Sequence, residues 1–96
     1  MAIEIENYIV NSDEEALLYG DYLVHEIIKK YPTLSDKEKV KIIIEVIRNA
    51  AKRGGNEDYF QGINKRYSYF FTLFILRIKE LEQEVKNEEK FSNKNF

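Results

Sequence analysis

The chemistry on offer begins with His25, the only histidine in a chain of 96 residues, and with Asp21 one helical turn before it. A residue pair at i, i+4 lies on one face of a helix, so both side chains could touch a metal ion. A stable zinc or di-metal site needs further ligands, and no second histidine and no cysteine exists to supply them. The expected state is therefore an ion pair or a partly buried histidine, with no metal and no cofactor. Glu80, Glu84 and Glu88 also share a helix face at i, i+4, with Glu82 and Glu89 nearby. Without loop oxygens around them they suit a solvated helix better than a calcium site. Gly54-Gly55 is followed by Asn-Glu-Asp, a sequence that repels an anion, so it is no phosphate loop. No nucleophile stands beside a candidate base, and the chain is expected not to be an enzyme.

Two groups of residues offer binding chemistry. Lys41, Arg48 and Lys52 fall with Lys37 on the polar side of one helix, and Lys65 and Arg66 are interleaved with aromatics in "NKRYSYF". Cations beside stacking rings can hold nucleic acid. Against this stands a sequence pI near 5.5. Lys52 and Arg53 also suit a helix C-terminus, where the dipole favours cations. Nucleic-acid binding is therefore the alternative reading. The second group is apolar. "YSYFFTLFIL" at 67–76 is nearly unbroken hydrophobic sequence in a chain that is 33% charged. Ten residues are about half of a bilayer crossing, so the segment must be buried by protein.

The charges are distributed unevenly. Residues 1–28 carry acids and no Lys or Arg, residues 29–79 are mostly basic, and 80–96 are again acidic. Such asymmetry marks either a partner or one part of the fold facing another. The opening "MAIEIENYIV" has the wrong charge for an export signal, and with no cysteine the expected setting is soluble and cytoplasmic.

These residues need elements to hold them. One domain of this size forms a core without metal or disulfides when its elements are regular. Ser12 with Glu15, and Ser35 with Glu38, are capping boxes that open helices near Asp13 and Asp36. Pro32 ends the first near residue 31, and Gly54-Gly55 ends the second. Asn56 caps a third helix expected over 57–90, roughly 50 Å long against roughly 28 Å for the others. The β-branched run "VKIII" is read as helix because Val40, Ile42, Ile43, Ile44, Val46, Ile47, Ala50 and Ala51 fall within one arc. Leu17, Gly20, Leu23, Val24, Ile27, Ile28 and Tyr31 form the expected core stripe of the first helix. "IEIE" at Ile3–Glu6 has strand periodicity but no partner strand, and reads as an arm laid over the bundle.

The expected fold is thus an all-α three-helix bundle with a long third helix. Its single domain divides into an N-terminal arm (1–11), a bundle (12–90) and a frayed tail (91–96). In the third helix, Phe60, Ile63, Tyr67, Phe70, Phe71, Phe74, Ile78, Leu81 and Val85 form the inward seam. Tyr69, Leu73 and Leu76 point the other way, and Leu18, Tyr19 and Tyr22 leave the main face of the first helix. Ile78, Leu81 and Val85 are expected to overhang the shorter helices. An apolar patch of this kind suits an interface. The expected function is a small non-catalytic interaction or regulatory protein, paired with a second copy, with another protein, or with both, through Tyr69, Leu73, Leu76, Leu18, Tyr22, Leu81 and Val85.

Overall fold

In the computed structural model of the chain, residues 3–94 are described, with side chains as far as Lys86. The chain is all-helical. It comprises α1 (Asp13–Lys30), α2 (Asp36–Arg53), α3 (Glu57–Lys65) and α4 (Tyr67–Lys94). Both serine caps form: Ser12 Oγ accepts from Glu15 N–H and Ser35 Oγ accepts from Glu38 N–H, each at 3.2 Å. Glu15 returns to the Asn11 N–H at 3.0 Å, so its carboxylate also fixes the chain entering α1. Gly54 caps α2, and the left-handed turn falls on Gly55, whose φ of 72° costs glycine little.

The bundle runs up, down and up. Asp13 meets Arg66, and Asp21 meets Arg77, so α1 and α4 run parallel. Lys39 near the start of α2 meets Glu82 late in α4, so α2 is antiparallel to both. Ala16, Leu23, Val24 and Ile27 of α1 pack with Val40, Ile43, Ile44 and Ile47 of α2, and with Phe70, Phe74, Ile78 and Leu81 of α4. Gly20 faces the Phe74 ring so closely that a Cβ there would stand 2.3 Å from it. A phenyl ring, rather than a backbone, makes the close approach at this glycine.

The expected long third helix is two helices. Arg66 leaves helical geometry at φ −107° and ψ 27°, while its N–H is shared by Gly62 O at 3.0 Å and Ile63 O at 3.2 Å. The next helix starts at once, with Phe70 N–H donating to Arg66 O at 3.2 Å. No proline or glycine occupies the break, whose contacts are tertiary. Arg66 forks onto the Asp13 carboxylate at 2.6 and 2.9 Å, its Nε donates to Gly62 O at 3.2 Å, and its guanidinium lies over Phe70. Tyr59 from α3 donates to the same carboxylate at 2.9 Å. Helical periodicity runs through the break, which is why phase alone does not reveal it.

The segment before α1 is an arm with a turn in it. Tyr8 N–H donates to Ile5 O at 3.2 Å, and Asn7 takes a φ of 65°, a region asparagine tolerates. Ile3 and Val10 are buried, Val10 N–H donates to Ala50 O at 3.3 Å, and Ile5 N–H donates to the Tyr19 hydroxyl at 2.9 Å. Arg53 closes the strap through Tyr8 O and the Glu4 carboxylate. At the other end α4 extends to Lys94. The side chains of Glu88, Glu89 and Phe91 lie outside the described residues.

Candidate protein interface

Three long helices enclose three grooves, and two of them are covered. The arm fills the α1/α2 groove, where Tyr8 stacks on Tyr19 at 4.2 Å and Tyr19 stacks on Tyr22 at 6.3 Å. Tyr19, placed off the main face by helical phase, is thereby buried, and burial pushes its phenol up. The α2/α4 groove is covered by α3 at one end, where Arg48 donates to Asn64 at 2.7 Å and lies over Phe60. At the other end Lys39, only 2% exposed, donates to Glu82 at 3.1 Å. The sequence groups Glu82 with a solvated acidic face, and the structure turns its carboxylate onto this lysine. Lys39 escaped notice because the pattern of its helix counts every lysine as polar.

Among the described residues the α1/α4 groove has no such cover. Leu17 of α1 and Tyr69, Leu73 and Phe74 of α4 line a shallow cleft, with Asp21 and Arg77 along its side. Arg77 Nε donates to Asp21 at 2.6 Å, and that bond raises the guanidinium's proton affinity. Further along, His25, Ile28, Lys29, Leu81, Glu84 and Val85 line a second cleft. His25 Nδ1 lies 2.8 Å from the Asp21 carbonyl oxygen and 3.7 Å from its carboxylate. Among the described residues, no three histidine or acidic side chains are grouped to hold a metal.

The seven residues expected at an interface separate into different environments. Leu18 is 65% exposed, Leu76 55% and Tyr69 52%, and Leu73 is half-buried between them. Tyr22 is exposed but stacks on the buried tyrosine beneath the arm, on the α1/α2 side. Leu81 is 8% exposed and belongs to the core, as does Ile78, so the expected apolar overhang shrinks to Val85. Helix α1 reaches far enough to cover Leu81. Phase also misplaced Leu17 and Tyr67, both assigned inward and both exposed at the rims of their helices. Leu17 thereby joins the open face.

The five basic residues are divided too. Lys41, Lys52 and Lys65 are exposed. Arg48 is held by Asn64 and by Glu45 at 2.9 Å, and Arg66 by Asp13. The Arg66 bond holds the Asp13 carboxyl below its usual value, with burial opposing it, and burial together with Asp13 pushes the Tyr59 phenol up. The charge asymmetry of the sequence is largely answered within the chain: Glu4 pairs with Arg53, Asp13 with Arg66 and Asp21 with Arg77. Each pair joins the acidic first third to the basic middle. Among the described residues no helix is long and apolar enough to cross a membrane. No family model, curated protein or solved structure matches this chain.

Proposed function

We propose that this chain is a small non-catalytic interaction or regulatory protein that presents a helical surface and works as a homodimer. The observation that carries this reading is the open α1/α4 groove lined by Leu17, Tyr69 and Leu73, with Leu18 and Leu76 exposed on the same two helices. Scattered exposed apolar residues are ordinary. Here they lie on two adjacent helices, around a cleft floored by the core ring of Phe74. Tyrosine adds contact area while keeping a polar tip in water, which suits a surface that is exposed before it is covered. A stable pair buries about 800 Å² on each partner, so the ridge must recruit neighbouring polar residues as its rim.

Nucleic-acid binding is the weaker reading, because Arg48 and Arg66 are committed to partners within the chain. The test is particle mass by light scattering at tens of micromolar (order of magnitude). The native chain is expected at twice the 11.5 kDa of one copy, and Leu73→Glu with Leu76→Glu at the single mass. A native chain at the single mass overturns the homodimer.

A further inference from the structure

We infer that, whether or not two copies pair, α3 is a hinged lid over the α2/α4 groove, latched shut by the Asp13 carboxylate, and that releasing the latch joins α3 and α4 into one straight helix. Registers within the bundle show how far α3 is folded back. Lys39 meets Glu82, and α2 runs antiparallel to α4. Arg53, fourteen residues after Lys39, is therefore level with about Ser68, fourteen before Glu82. A straight continuation of α4 in front of that level would run past the end of α2. Instead Asn64 meets Arg48, which on the same count is level with about Leu73, and Phe60 lies under the same guanidinium.

The chain reverses this far at Arg66, and its own sequence does not demand it. Sharp kinks usually sit at proline or glycine, or where a side chain enters the hydrogen-bond ladder, and neither residue occurs from Ile63 to Tyr69. Arginine is itself a good helix former. On either side of the break the helical bonds are in place, from Arg66 N–H to Gly62 O and from Phe70 N–H to Arg66 O. Among the described residues, no backbone bond runs from the N–H groups of 67, 68 and 69 to the carbonyls of 63, 64 and 65. A straight helix would make all three.

One carboxylate opposes that gain. Asp13 accepts the Arg66 fork at the hinge and the Tyr59 hydroxyl on the lid, so it grips both at once. Both ends of the fork are partly exposed, so water competes for it and the latch can open. Beyond the latch, the closed lid keeps Ile63 buried and holds Arg48 through Asn64 and Phe60. Asp13 tips the balance between these contacts and the three missing bonds. Opening bares Ile63 and Phe60 and uncovers one end of the groove.

The chain contains no cysteine, so spin labels attach only where one is introduced. Gln61→Cys with Lys79→Cys labels two exposed positions eighteen residues apart. In one straight helix they share a face at about 27 Å, and with α3 folded back they stand well short of that. Labelled chain in an excess of unlabelled chain keeps the measured distance within one copy. The native protein is expected at the short distance, with backbone carbon shifts at Arg66 outside the helical range. Asp13→Asn and Arg66→Ala are each expected to raise the population near 27 Å about tenfold and to move those shifts into the helical range. Should Asp13→Asn fail to fold, Arg66→Ala decides, since it leaves the first turn of α1 untouched. The short distance persisting in a folded variant, or residues 57–65 losing their helical shifts so that the lid melts instead of straightening, overturns the inference. A native chain already near 27 Å overturns it as well.

Discussion

The α1/α2 groove and the α1/α4 groove share a helix, yet one is closed and the other open. Over α1/α2 the arm supplies Ile3 and Val10 to the core, lays Tyr8 on Tyr19, and ties its backbone to Tyr19, Ala50 and Arg53. Along α1/α4 the same kinds of residue, leucine and tyrosine, line a cleft beside which Asp21 bonds to Arg77 across the helices. Composition therefore does not decide which apolar residues are core. What decides is whether a further segment of chain reaches them. The arm reaches the first groove, and no described segment reaches the second.

That contrast can be broken from its closed side first. Tyr19→Ala removes a buried ring that stacks on two neighbours and accepts from Ile5, and should cost about 3–5 kcal/mol in chemical denaturation, the range for truncating a buried aromatic. Gly20→Ala should follow. Its methyl would press on Phe74, and an overpacking cost of about 1–3 kcal/mol exceeds the gain of roughly 1 kcal/mol in helix propensity. Tyr19→Phe keeps the ring and loses only the hydroxyl that accepts from Ile5, so it should cost about 1 kcal/mol. On the open side, Leu76→Glu should change the stability of a single copy by less than about 0.5 kcal/mol, because an exposed side chain gives up little on folding. If Leu76→Glu destabilises a single copy as much as Gly20→Ala does, the two grooves do not differ as described.

A smaller effect separates the grooves by pH. The Asp13 carboxyl titrates below its ordinary value of 3.8 because Arg66 bonds to its charged form. The stability from that bond is present above the unfolded value and is lost as pH falls through the lower folded one. Asp13→Asn should therefore flatten the acid side of the stability profile below about pH 4 and leave the neutral region sloping as before. Since α3 and the start of α4 are joined to α1 here, amide hydrogen exchange at low pH should show them losing protection first.

Much of this architecture was legible in the sequence. Ser12 with Glu15, Ser35 with Glu38, Asn56 and Gly55 set the helix ends, because capping is a local bargain between neighbouring residues. The apolar arc of α2 was likewise readable despite its β-branched run. What was not legible came from distant contacts. Arg66 breaks the long helix where Asp13 and Tyr59 converge, and those residues lie far from it or a full helix turn and more away in the chain. Tyr19 is buried by an arm that a helical wheel does not contain, and Lys39 by an ion pair with Glu82 across the bundle. Of the expected interface, Tyr69, Leu73, Leu76 and Leu18 stay at the surface because phase placed them opposite the seam. Leu81 was lost to the core because the reach of α1 alongside α4 depends on a parallel register that neither helix encodes alone.

The most direct test of the open groove is a filtered nuclear Overhauser experiment on an equal mixture of isotope-labelled and unlabelled chains. Contacts between copies are expected from the methyls of Leu73 and Leu76 to the ring of Tyr69, and none from Ile3, Val10 or Tyr8. Contacts between copies that arise at the arm, or none at all at concentrations well above micromolar (order of magnitude), would contradict the account.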